Sequence, residues 1–356
     1  MSLQITPARA DVLSTLLSGV VGQYMQQSAD HVYGQLMPAA LRSVPSSAHK
    51  AKIRVLNNGA TGGTPLQLKR APGSGYAAVP VVNHTHVEYE TVARSVAISF
   101  PAEHMLRSEL TEDGWLALQG MQVSNALGRA LNDEIVSIVT TGTNWSGGAA
   151  VAWNTIGSGQ KVGHASALPL ADFVAAVEKA KLNATETQPD TIILPISTLR
   201  AALQHPTISM GVVSSGTVGN LPRNIPSLVA AIENVTACKV IVDRSHKRTS
   251  ADGVAVTNAA SMGDYCWIGA LGASSMAQLG ALDVAALAFA AVIEQKTSAP
   301  GVQALSPYGV EGAIMPGLDV RLTYEDATKS WVIRGDLAFD VVVLDADLGT
   351  LYEDLV

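Results

Sequence analysis

The chain has 356 residues, 47% of them hydrophobic and 15% charged, with a formal net charge of −7 at pH 7. Such length and apolar content give a packed protein of one large or two modest domains, and exclude a disordered chain. The negative balance excludes a surface that grips phosphates over its whole extent, because that affinity rests on clustered Lys and Arg.

The first 44 residues mix short apolar patches with Gln, Ser and Gly, and read as a short helix followed by an extended arm. Val12–Met25 is broken by Ser14, Ser18 and Gln23 and preceded by Asp11, so it is no secretory signal. From Lys50 the texture changes. Lys52–Leu56 alternates as a strand does, and Asn57-Asn58-Gly59 is a turn signal. Val79–Val82 and Val87–Val92 read as further strands beyond a stretch punctuated by Gly62-Gly63, Pro65, Pro72-Gly73 and Gly75. A long two-stranded excursion explains this better than a compact fold, and such a ribbon is marginal by itself.

The longest helical signal follows. Thr111 is a good N-cap with Glu112 and Asp113 behind it, and apolar residues recur from Leu116 to Val139 close to the 3.6-residue period. The helix should end near Thr141-Gly142, giving about 45 Å of rod at 1.5 Å per residue. Residues from Asn144-Trp145 to Ser166 read as loop. Pro169–Asn183 is an amphipathic helix and Asp190–Pro195 a short buried strand. A helix capped by Ser197 is then expected to run to His205-Pro206, where the proline ends it. A Gly/Ser/Pro-rich loop over Gly211–Pro226 precedes a helix at Ser227–Glu233 and strands at Lys239–Asp243 and Tyr265–Ile268. Ala281–Ile293 is the most apolar run, but it holds Asp283 and falls short of the about 20 residues of a membrane span. Asp319–Tyr324, Trp331–Arg334 and Phe339–Leu344 read as strands, with a turn over Glu325–Lys329.

This order resembles the major capsid protein family of tailed phages, with the Hong Kong 97-like fold. Three places carry the resemblance. Val96–Pro101 leading through Met105-Leu106 into the helix from Thr111 looks like that family's strand into its spine helix, closed by Thr141–Trp145. Pro189–Pro195, followed by Leu199, Leu203 and His205-Pro206, looks like the strand–helix pair of its axial domain. Trp331–Asp336 through Val341–Asp347 is similar to its closing strands. The resemblance implies an α+β fold with an N-terminal arm over 1–44, an extended E-loop hairpin over 45–90 and two domains. The peripheral domain would take 91–141, including the spine helix 111–141, and 305–345; the axial α/β domain would take 144–304 and 346–356. It also implies a shell of hexamers and pentamers assembled in the host bacterial cytoplasm, enclosing double-stranded DNA non-specifically. Scaffolding, portal and decoration proteins are the further partners implied, with no cofactor and no membrane. Certain members join subunits by a Lys–Asn bond; no residue here matches such a motif and no cross-link is expected. A long scaffolding extension is likewise not expected, which implies a separate scaffold or none.

Subunit contacts are expected at Lys50, Lys52, Lys69 and Arg70 in or near the E-loop. A second set is Arg244, Lys247 and Arg248, in the one dense basic cluster of the sequence. Catalytic readings are weaker. Gly157–Gly163 misses the spacing of a dinucleotide loop and reads as a plain loop. His84 and His86 would share a strand face, but no third ligand stands near them. Ser214-Ser215-Gly216 and Ser274-Ser275 lack a nucleophile elbow. Asp345-Ala346-Asp347 and Glu353-Asp354 read as solvated carboxylates, His205 as a cation favourable at a helix end, and Cys238 and Cys266 as buried free thiols. Two alternatives stand beside the phage shell: an encapsulin-type nanocompartment with protein cargo, and an α/β enzyme built on Trp145–Leu282.

Overall fold

A computed structural model describes residues 17, 43–46, 49–56, 84–101, 112–145, 148–183, 188–209, 224–248, 258–271, 287–294, 318–325 and 328–356. Most of the expected arm, the E-loop between 57 and 83, the Thr111 cap, and the serines at 214, 215, 274 and 275 lie outside these residues. In chain order come β1 (Ser43–Ser46), β2 (Lys50–Leu56), β3 (His84–Glu90), β4 (Val92–Pro101) and the helix α1 (Glu112–Thr140). Then follow β5 (Val151–Ala152), α2 (Pro169–Asn183), β6 (Thr191–Pro195), α3 (Ile196–Gln204), α4 (Pro206–Ser209), α5 (Ile225–Thr236) and β7 (Lys239–Asp243). Last are β8 (His246–Arg248), β9 (Asn258–Ala260), β10 (Cys266–Gly269), β11 (Phe289–Glu294), β12 (Asp319–Glu325), β13 (Ser330–Val343) and β14 (Gly349–Glu353). The chain divides into two compact units, one of Met1–Ala51, Glu88–Ile135 and Ala291–Val341, the other of Lys52–Val87, Val136–Ala290 and Val342–Val356.

The first unit is organised by β13. Its sheet runs β1-β11-β13-β12, with β4 also paired to β13. The β12 and β4 ladders are antiparallel, with Arg321 opposite Arg334 and Ile98 opposite Ile333. Along it Trp331, Val332, Ile333, Leu337, Ala338 and Phe339 are buried, while Arg334 is exposed and Asp336 and Asp340 are half-buried. The sequence suggested two strands here, broken after Arg334. The break is Gly335, which is part of one continuous strand: a Cβ there would run into Val123 Cγ1 and sit 3.2 Å from Leu127 Cδ1 of α1. Its missing side chain lets the helix approach the sheet. α1 itself has 29 residues, about 43 Å of rod. Leu116, Val123, Leu127, Leu131 and Ile135 are buried, while Leu118, Gln122, Asn125, Arg129 and Asp133 line an exposed stripe, as the 3.6-residue period requires. Phe100 meets Trp115 edge-on at 4.0 Å, and Arg94 pairs with Glu134 at 3.3 Å.

The end of α1 is held by side chains. Thr140 Oγ1 donates to Val136 O at 2.7 Å, Thr141 Oγ1 to Ser137 O at 2.6 Å, Asn144 Nδ2 to Ile138 O at 3.0 Å, and Trp145 Nε1 to Val139 O at 2.9 Å. Carbonyls near a helix C-terminus need such partners, so Thr140–Trp145 is a stop built from polar side chains.

The second unit holds a five-stranded sheet in the order β5-β14-β10-β6-β7. β6 runs parallel to β7 and antiparallel to β10; β10 is antiparallel to β14, and β14 parallel to β5. Around it lie two aromatic clusters. Trp145, Trp267 and Phe289 have ring centroids 5.3 to 6.2 Å apart, and Gly269 faces Gly349 across the β10–β14 ladder. A Cβ on either glycine would strike an indole of that cluster, so the pair makes room for it. Trp153 packs on Phe173 and Tyr352, and the Tyr352 hydroxyl donates to Ala176 O at 2.7 Å. Trp145, Trp153, Ile156 and Val162 are all buried, so the stretch expected to be a loop from 144 to 166 is in fact an anchored part of the core. Two helix signals also need correction. The N-cap of α3 is Pro195, not Ser197, without a side-chain hydrogen bond. Pro206 does not simply end that helix but opens α4, a position where proline's missing N–H costs nothing. α5 starts earlier than expected because Asn224, two residues ahead of Pro226, caps it in a capping box with Ser227, and it runs on to Thr236.

Candidate functional site

The catalytic candidates resolve into structure. The Gly157–Gly163 loop turns its donors inward onto Asp172, which is fully buried. Ser158 N donates to Asp172 Oδ1 at 2.6 Å, Ser158 Oγ to Oδ2 at 2.8 Å, and Leu168 N to Oδ2 at 3.1 Å. Ser158, the donor of this loop, is thus taken up by the Asp172 side chain. Gly157 takes φ +48°, and a Cβ there would collide with that Asp, so the glycine serves the closure.

His205 is buried, and its ring forms a strut. Its Nδ1 lies 2.7 Å from Thr207 Oγ1 and 3.3 Å from Thr207 N, and its Nε2 lies 2.8 Å from His164 O. The two cysteines are free and buried; burial pushes the Cys238 thiol up to about 11 and that of Cys266 higher still. Neither is a nucleophile at neutral pH. His86 is exposed on β3, and no group of three or more metal-ligating side chains gathers among the described residues. An open concavity of about 540 Å³ is lined by Asn154, Gln160, Lys161, His164 and Val356. Lys161 is engaged there by Val356 O at 3.0 Å and Asp354 at 3.9 Å, so no acid–base pair converges on it.

Two small ribbons are separate from the two five-stranded sheets. β2 and β3 form a two-stranded sheet. Its base is fastened by Thr91 N donating to His49 O at 2.9 Å and by Lys50 Nζ against Glu90 Oε2 at 3.0 Å. The hydrogen bond and charge of Glu90 raise the Lys50 pKa above its usual value, and Lys50 in turn lowers that of Glu90. Glu90 N donates onward to Asp340 Oδ2 at 3.0 Å. The other ribbon is β8 with β9, antiparallel, with Lys247 opposite Ala259. It is rooted on buried Asp243, whose Oδ1 accepts from Ser245 N at 3.0 Å and Ser245 Oγ at 2.6 Å, and whose Oδ2 accepts from Met262 N at 3.2 Å.

The expected contact residues therefore fall into two groups. Lys50 and Lys52 stand two apart on β2, both exposed, with Lys69 and Arg70 outside the described residues. Arg244, Lys247 and Arg248 belong to the second ribbon, where Arg244 and Lys247 are exposed. Sequence reasoning missed the acidic residues that fix both groups, Glu90 and Asp243. Spacing gives no signal for Glu90, which lies 40 residues from the lysine it holds, whereas Asp243 bonds Ser245 two residues on, a turn signal that could have found it. Asp345 was expected to be solvated; it is partly buried and caps the turn Ala346–Leu348 by accepting from Asp347 N at 3.0 Å.

No protein-family model matches the chain, and no curated protein matches it in sequence. Solved structures do match. A phage-related protein from Bordetella bronchiseptica overlaps with a TM-score of 0.62 at 14% identity, over 96% of this chain and 96% of that one. The mature capsid of bacteriophage PhiM1 overlaps at 0.47 and 9% identity, over 88% and 84% of the two chains. An encapsulin complex from Synechococcus elongatus overlaps at 0.45 and 11%, over 88% and 84%. What the chain shares with the first of these, the phage-related protein, is the fold.

Proposed function

We propose that this chain is the major capsid protein of a tailed phage, a structural subunit that performs no catalytic step. The observation that carries the reading is the shared fold with a phage-related protein over 96% of both chains. It is supported by two small ribbons bearing the exposed Lys50, Lys52 and Lys247, and by the Gly157–Gly163 loop, whose Ser158 is taken by the Asp172 side chain. On this reading residues 1–44 are an N-terminal arm and 45–90 an E-loop lying across a neighbouring copy. Residues 91–141 and 305–345 form a peripheral domain with α1 as its spine, and 144–304 and 346–356 an axial domain. Copies assemble into hexamers and pentamers in the host cytoplasm and enclose DNA in the virion, with scaffolding, portal and decoration proteins as further partners.

The experiment is size-exclusion chromatography of the purified chain with light scattering, followed by negative-stain imaging and nuclease digestion. Closed particles of many copies, with nuclease-protected DNA when recovered from infected or induced cells, are the expected result. A monodisperse monomer at every concentration overturns the shell. Particles that hold protein and no protected DNA transfer the chain to the nanocompartment alternative.

A further inference from the structure

The sheet of the second unit carries opposite charges at opposite corners. β7 is one edge strand, and its carboxyl end leads at once into Arg244 and the β8–β9 ribbon with His246, Lys247 and Arg248. β14 lies next to the other edge, three strand steps away, and its amino end is preceded by the turn that bears Asp345 and Asp347. β14 and β7 both run parallel to β6. The basic ribbon therefore leaves the sheet at one end and the acidic turn enters at the other. Three strand spacings are about 14 Å and a five-residue strand about 17 Å. That exceeds the Debye length of about 8 Å in physiological salt, so the two patches do not neutralise one another within a copy.

Each patch also lacks something of its own. A two-stranded ribbon does not hold itself, and Lys247 stands exposed on it. Asp347 is exposed beside the partly buried Asp345. Burial raises the Asp345 pKa above the usual carboxylate value, against the hydrogen bond from Asp347 N that lowers it, and the like charge of the Asp347 side chain adds a smaller upward push. A cation from outside relieves that repulsion.

We infer that, within the shell proposed above and resting on that reading, the β8–β9 ribbon of one copy docks on the Asp345–Asp347 turn of a second copy. The contact joins two different patches, so it is head-to-tail, the kind that closes into rings. Charge complementarity selects an acidic partner, and a second copy of this chain, net −7, is one.

The test measures the concentration at which particles or rings appear, by light scattering and sedimentation velocity, in low and high NaCl. The K247E/R248E variant and the D347K variant should each raise that threshold about tenfold or more, with unchanged circular dichroism and melting temperature. A chain carrying all three changes should assemble close to the wild-type threshold, because the charges then match in reverse. High salt should raise the wild-type threshold. Wild-type assembly matched by both single-patch variants overturns this inference alone, as does a three-change chain no better than its parts. A basic-patch variant that assembles normally but retains less DNA assigns the ribbon to nucleic acid and also overturns it. A wild type that stays monomeric removes the shell and this contact together.

Discussion

The five-stranded sheet of the second unit and the two small ribbons show two ways in which this chain uses β-structure. In the sheet, every strand residue from Thr191 to Pro195 is buried, three large aromatics interlock, and the Tyr352 hydroxyl finds its acceptor inside. In the ribbons, the fastening points are polar: Lys50 with Glu90 in one, Asp243 with Ser245 in the other. The sheet is complete within one chain. The ribbons are tethered at their bases, and on the shell reading proposed above a neighbouring copy would supply their covering surface.

Changes in the two kinds of region should separate in size. Trp267→Ala empties a site ringed by Trp145 and Phe289 and should cost about 3–5 kcal/mol in urea unfolding of the second unit. A loss below 1 kcal/mol would mean that the aromatic cluster does not organise this core. Gly335→Ala pushes a methyl against Val123 of α1 and should cost about 1–3 kcal/mol, read as a lower thermal midpoint of the first unit. Asp172→Ala strips the acceptors from two backbone N–H groups and a hydroxyl, with an expected cost of about 1–3 kcal/mol. Faster proteolysis within 156–168 would locate that loss.

At the small end, Lys50→Ala should leave unfolding of the isolated subunit unchanged, because the pair with Glu90 is solvent-exposed. Its pH behaviour has a definite sign. Glu90's pKa is lowered, so its contribution is present above the ordinary glutamate value and fades as pH falls through the depressed one. Lys50's is raised, so its contribution is present below the ordinary lysine value and fades as pH rises through the elevated one. Amide exchange of β2 in the isolated subunit should follow that window, and an exchange profile flat across it would remove the clasp.

The regular elements were legible where one period ran unbroken. α1 and α2 follow 3.6-residue spacing for many turns, and Lys239–Asp243 is a short run of apolar and β-branched residues flanked by turn signals. The 144–166 stretch was misread because Trp145, Trp153, Ile156 and Val162 enter the core singly, at intervals that fit neither helix nor strand. Gly335 read as a break because only the approach of α1 explains it. For the site, composition exposed the basic cluster, whereas the placement of the acidic turn at the far corner of the sheet depends on strand order, which no local pattern encodes.

All five tryptophans, Trp115, Trp145, Trp153, Trp267 and Trp331, are buried. Trp115 and Trp331 belong to the first unit and the other three to the second. The molecule therefore carries its own optical reporters, with native emission shifted to short wavelength. Tryptophan-to-phenylalanine sets that silence one unit at a time would let fluorescence follow the loosening of each unit separately.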